Sequence, residues 1–464
     1  MKKILSAVMA VLLIVTTFAA CGAPAATSKP EESKAGESAA TTEESKAAPA
    51  GELDQNEDGT INNPEAVKIE DGNLSFWSLF GGGDGVFMDQ IIKDYNAGSP
   101  TKAVQSVMLV WGEYYTKLQT AVSAKKGPDI GVSHASKLAE LVDQGVIDPI
   151  DDYLKELGVD LNTIYSKEAI ESVTFDGKVY AVPLDTHAEV MFYNKDILTK
   201  AGVKFNAEGG LDIKDAAGFK ALLDQVKGFI PEGGSTITMA NQGDDPYRIW
   251  WATYFQMGGT PLVSEDGKTA TLDKAIAGKA AEYVKSLFDE GYILPGIDDS
   301  QAFFQSGKAA FAFNGTWGTG AFESTKELNF GAMPFPSLYN GSNACWADAH
   351  TFILPVKPSR SPEDGKAAVE FMLGASGEKG GATWAKSGQV PSNSKVIESA
   401  AFLDLPYRKD YKSVLTTAVF PTKSVGFGGI KTELIDALNA FWLGDADTAA
   451  TSDSLNKAIE SNLS

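Results

Sequence analysis

From about residue 72 onward the chain alternates short apolar runs with stretches in which apolar residues recur every three or four positions. Leu74 to Phe80, Val104 to Val110 and Ile130 to Val132 are nearly continuous apolar runs, the pattern of strands buried on both faces. Between them, Val86 to Asn96 sets Met88, Ile91, Ile92 and Tyr95 on one helical face, and Tyr114 to Ala124 places Leu118 and Val122 one turn apart. Leu138 to Gln144 reads as a helix closed by Gly145, and later helices are predicted over Ala280 to Glu290, stopped by Gly291, and Thr432 to Leu443, stopped by Gly444. Strand-then-helix alternation of this kind predicts an α/β fold in which a parallel sheet is covered by helices on both faces.

The chain before residue 72 follows other rules. Lys2 and Lys3 precede an apolar run from Ile4 to Ala20 and then Cys21, the layout of an export signal. Small residues before a cysteine resemble a bacterial lipobox, with Phe18 standing where Leu is usual, so residues 1–20 are expected to be removed and Cys21 to carry the lipid. Ala23 to Ala50 is almost entirely Ala, Ser, Thr, Glu, Lys, Pro and Gly, too poor in apolar surface to order itself. Residues 21–70 therefore read as a disordered, lipid-anchored linker, its ends roughly 35 to 42 Å apart by flexible-chain scaling. Within it, Asp54, Asn56, Asp58, Thr60 and Glu65, with Gly59 at the turn, follow the ligand spacing of an EF-hand calcium loop. Pro64 stands where the exiting helix would begin and no amphipathic helix leads in from Ala47 to Leu53, so Ca2+ at this loop competes with a plain acidic linker. No other cofactor is expected.

After Cys21 only Cys345 remains, so the mature chain has no internal disulfide and depends on its cores. A length of 464 residues is enough for two or three domains. The net charge of −21 falls to −23 once Lys2 and Lys3 are lost, which argues against nucleic acid and against an anionic membrane surface as partners. No G-x-S-x-G, H-E-x-x-H or C-x-x-C occurs, and an enzyme is not expected. A lipid-anchored carbohydrate-active enzyme is the competing class, but its two carboxylates have no signature among 61 acidic residues.

Four segments in order carry a family likeness: "FWSLFGGGDG" (Phe76 to Gly85), the "GPDI" turn (Gly127 to Ile130), "YAVPLDTHAEVMFYNKDIL" (Tyr180 to Leu198) and "GKAAFAFNGTWG" (Gly307 to Gly318). From about residue 72 to the C-terminus the chain resembles the family 1 extracellular solute-binding proteins of ABC importers. The resemblance implies a two-lobed periplasmic-binding-protein-like fold with a ligand cleft and hinge. It places residues 70–186 plus 349–391 in the first lobe and 187–348 plus 392–464 in the second. It also implies a carbohydrate ligand, an oligosaccharide, delivered to ABC permease subunits by a monomer anchored at the outer face of the cytoplasmic membrane. A peptide, amino acid or polyamine is the alternative solute.

Sugars present apolar C–H faces and rings of hydroxyls, so a sugar cleft needs flat aromatics and side chains that both donate and accept. Trp111 beside Glu113, Trp317, and Trp346 near Asp348 and His350 each follow an apolar run and sit in a turn. The resemblance gives Trp317 and Tyr247 stacking roles and makes His134 ligand-facing. His187, two residues before Glu189, is a second hydroxyl partner; for both histidines the alternative is a hydrogen-bonded structural role. Their local spacing offers no chelating pair, so metal coordination by histidine is not expected. Asp84, in the glycine-rich turn, is expected to accept from a ligand hydroxyl. Trp77, inside a strand, reads as core; Trp250 and Trp251, adjacent on a helix, point apart, so at least one is core. Arg248 reads as the partner in a surface or intramolecular salt bridge, with a fork of bonds to ligand hydroxyls or a uronic carboxylate as the alternative.

Overall fold

In the computed structural model, which describes residues 52–463 apart from Gly82 and Glu208, the three predicted strands form as Leu74–Ser78, Val104–Met108 and Ile130–His134. The export signal, Cys21 and the first part of the linker lie outside the described residues. The three strands are parallel, with Leu74–Ser78 in the middle. His350–Ile353 and Ala181–Pro183 complete this sheet, both antiparallel to their neighbours, so the parallel sheet expected from the alternation is a mixed one. The cause is connectivity. These two strands border a second sheet instead of following a helical crossover, and only a crossover imposes parallel direction.

The second sheet is built on one long strand, Asp185–Asn194, which pairs antiparallel with Ala309–Gly315, Phe330–Pro334, Cys345–Asp348 and Val390–Pro391. Each sheet has its own hydrophobic core. In the first, Phe76 lies 5.9 Å from Phe352 and 5.7 Å from Phe371, which locks the returning strand and the helix Pro362–Ala375 onto the parallel strands. Full burial of side chains of this size stabilises by roughly 1.5–3 kcal/mol each.

The cores divide between Leu184 and Ala188, between Ala347 and Phe352, and between Trp384 and Ala385. The last division departs from the boundary expected at 391. Ala385 and Val390 belong to the second core because Val390–Pro391 pairs with Thr186 and Asp185 of the long strand. Helix ends also shift. The helix expected from Ala280 begins at Lys274, where the Asp273 carboxylate accepts from the Ile276 N–H at 3.0 Å, and the last long amphipathic helix spans Phe427–Trp442.

The linker expected through residue 70 is folded over its described part. Ile61 is buried in the first core, its N–H donating to Met108 O at 2.7 Å, and Pro64–Ala66 forms a short 3-10 turn. Buried Ile61 and Pro64, Val67 and Ile69 packed against the core, and a β-bridge to Leu109 pin a segment whose composition alone predicts disorder. The calcium-like loop is closed by its own hydrogen bonds. Gly59 adopts φ 87°, Asp58 Oδ1 accepts from Thr60 N at 2.9 Å and Oγ1 at 2.7 Å, and Asn62 Nδ2 donates to Asp54 at 3.2 Å and Asn56 at 3.1 Å.

Candidate ligand-binding site

Alternate residues of a strand share a face, so Asp185, His187 and Glu189 of the crossing strand project the same way. Strand register does the rest: Asp348 lies opposite His187, and His350 opposite His134. All three histidines of the chain, from three separate strands, thus meet where the two sheets join. Their ring centroids are 4.2 Å (His187 and His350), 4.9 Å (His134 and His350) and 5.5 Å (His134 and His187) apart.

Beneath them lies Asp185, fully buried and fully satisfied. Its carboxylate accepts from His187 Nδ1 at 3.2 Å, His350 Nδ1 at 2.9 Å, His350 N at 3.0 Å and Trp384 Nε1 at 2.7 Å. Burial would raise its pKa, but the two histidines outweigh burial and hold the carboxyl well below the usual range. Burial pushes His187 and His134 down, His350 lowers both further and His187 also lowers His134; His350 is raised because Asp185 overcomes burial there. Tyr115 serves His134: its hydroxyl lies 2.6 Å from Nδ1 and accepts from the His134 N–H at 2.8 Å.

The second-lobe wall is aromatic. Trp317 stands on the turn after Ala309–Gly315, and its indole folds back over Gly315 so closely that a Cβ there would lie 1.8 Å from a ring carbon. Trp346 meets it edge to face at 6.3 Å, and His187 is 5.7 Å and 5.8 Å from the two indoles. The Arg248 guanidinium lies 4.9 Å from both indole centroids and pairs with Asp245 at 3.5 Å and Asp244 at 3.9 Å. Beside it Glu189 is wholly buried with neither oxygen hydrogen-bonded; burial pushes it up to about 8 against the pull of Arg248. Trp346 Nε1, Tyr247 Oη and Arg248 Nε are likewise buried without partners.

Of the residues expected from sequence, His134, His187, Trp317 and Trp346 are brought together here. Asp348 joins them but is engaged, accepting from Ser136 N at 3.2 Å and Oγ at 2.5 Å to cap the helix Ala135–Asp143. Asp84 is buried at the start of the helix Gly85–Ala97; burial raises its carboxyl while His350 pulls it down. Trp111 and Glu113 stand apart. Trp111 is half exposed, and Glu113 is an exposed partner of Lys117. Tyr247 is not on display either: its ring is fully buried and stacked on Trp250 at 5.9 Å. Trp250 and Trp251 are both core, because the helix Asp244–Gln256 is packed around most of its circumference. His350, Asp185 and Tyr115 were not expected as site residues. The period-2 spacing of Asp185, His187 and Glu189 was the readable signal for one of them.

The first-lobe turn and the second-lobe wall are in contact. A side chain at Gly83 would come within 3.2 Å of Ala321, and one at Gly320 within 3.4 Å of Phe87. A buried aromatic wall, a polar hinge and touching lobes are the arrangement of a closed binding cleft. The pattern of the bacterial extracellular solute-binding proteins matches residues 90–409. The chain belongs to that family. Among its relatives, the maltodextrin-binding protein MdxE of Bacillus subtilis is 24% identical over 403 residues, covering 82% of this chain and 89% of that one. The solute-binding fold recurs in the GacH receptor of Streptomyces glaucescens, solved unliganded and with acarbose, at TM-score 0.73 and 22% identity over 84% of this chain and 98% of that one. It recurs also in UgpB of Mycobacterium tuberculosis, solved with glycerophosphocholine, at TM-score 0.72 and 19% identity over the same shares.

Proposed function

We propose that this solute-binding protein captures an oligosaccharide between its lobes and delivers it to the permease of an ABC importer, held at the membrane by a lipid on Cys21. The observation that carries the sugar reading is the second-lobe wall. Two indoles at right angles are joined there by buried groups of both hydrogen-bonding senses, the Glu189 carboxyl, which with its pKa pushed up to about 8 can accept and donate, and Trp346 Nε1 as donor. A sugar hydroxyl donates and accepts at once, and its ring offers a C–H face to an indole, so one ligand class answers both features. The maltodextrin and acarbose specificities of the relatives agree with it. Glycerophosphocholine, bound by a third protein of this fold, is the comparison ligand for the test.

Titration with a panel of maltooligosaccharides and other neutral oligosaccharides is expected to change tryptophan fluorescence and raise the melting temperature. Trp317→Ala is expected to weaken binding more than tenfold, about 1.4 kcal/mol or more, at unchanged fold. A response to glycerophosphocholine or a peptide with none to any neutral sugar overturns the reading.

A further inference from the structure

The histidine cluster is more ordered than sugar recognition requires. One ring nitrogen from each of His134, His187 and His350 lies within 4.8 Å of the other two, the one such grouping of His, Cys, Asp and Glu among the described residues. The tautomers follow from the partners. A carboxylate stripped of protons can only accept, so the Asp185 contacts place a hydrogen on Nδ1 of both His187 and His350. In the neutral rings, Nε2 is then a bare lone pair. Tyr115 engages Nδ1 of His134, and its hydroxyl, which already accepts from the His134 N–H, can accept from that nitrogen as well. Among the described residues no protein hydrogen bond reaches Nε2 of any of the three.

We propose that His134, His187 and His350 bind a divalent transition metal ion, zinc in the first place, through their Nε2 atoms. Three features support it. Carboxylate and hydroxyl groups holding the distal nitrogens are the outer shell that orients metal-binding imidazoles. Centroid separations of 4.2–5.5 Å bracket the value of about 5 Å that three imidazoles reach around one tetrahedral ion at Zn–N distances near 2.0–2.1 Å. The Asp185 carboxylate, hydrogen-bonded to both His187 and His350, supplies negative charge beside the ion. Three protein ligands leave a fourth position for water or for an oxygen of the solute. The sequence hid the site because none of the histidines is near another along the chain; only strand register unites them.

The experiment is calorimetric titration of the chelator-stripped full chain with ZnSO4 and, separately, CoCl2. One equivalent is expected to bind, zinc to raise the melting temperature, and cobalt to show the visible absorption of a nitrogen-ligated tetrahedral site. His134→Ala, His187→Ala and His350→Ala are each expected to weaken binding at least 100-fold. Asp185→Asn is expected to cost 10–100-fold while each chain keeps its circular-dichroism spectrum. Should a variant misfold, zinc protection of the wild-type histidines from diethylpyrocarbonate decides instead. No bound equivalent, no protection, or zinc binding that survives all three substitutions overturns the proposal and leaves the histidines as hydrogen-bonding groups alone. Sugar titrations do not enter this test, so it stands or falls apart from the proposed cargo.

Discussion

At the scale of single residues the protein uses burial to fix chemistry. Cys345 sits at the start of a second-sheet strand with no exposure, and burial pushes its thiol up to about 12, the Thr417 hydroxyl drawing it back a little. The thiolate is the reactive form, so in a Cys21→Ser protein Ellman's reagent at pH 8 is expected to find no thiol until denaturant is added. The sign for stability follows. An unfolded thiol ionises near 9, so the contribution from keeping Cys345 neutral is complete below about pH 9 and drains away as pH rises toward 12. A native thiol titrating freely at pH 8 contradicts that burial. Arg248 shows the same economy in reverse. It is a buried cation made tolerable by two indole faces and two aspartates, and ion pairing is one of the two roles its sequence neighbourhood left open.

At the scale of elements, glycines decide where rings can lie. Gly331 pairs with Tyr193 across two antiparallel strands, and a Cβ there would meet the phenol ring at 2.2 Å. Gly315 gives Trp317 its seat by the same device, at an ordinary φ of −83°. Gly315→Ala is therefore expected to leave the strand intact, displace the indole, and weaken oligosaccharide binding about as much as Trp317→Ala. A titration showing undisturbed affinity would detach the seat from the function. The Asn-Gly-x-Trp turn was legible because its information is local, as were the strand and helix periodicities. Strand direction, the return of the chain after Trp384 and the folding of residues 52–70 were not. Each is set by which distant segment pairs with which, and alternation of apolar and polar residues carries nothing about that. The burial of the Tyr247 ring was hidden for a related reason: sequence shows an aromatic beside charges, whereas exposure depends on what packs over the helix.

At the scale of the whole molecule, two cores joined by three passages of chain make a hinge, and the site lies on the strands that cross it. The contacts of Gly83 with Ala321 and of Gly320 with Phe87 are those of the closed form. A ligand holds that form only as far as it binds it better than the open one. Small-angle scattering is expected to show a smaller radius of gyration with saturating oligosaccharide than without; superimposable curves would mean that closure is not what the solute controls. The cleft already has an occupant of its own. With the Arg248 guanidinium 4.9 Å from both indoles, a sugar that stacks on that face of Trp317 has to evict a tenant before it can settle. Capture is then an exchange, and the measured affinity is the difference between two guests. The same side chain, returning to the indoles as the cleft opens, would hasten the solute's departure.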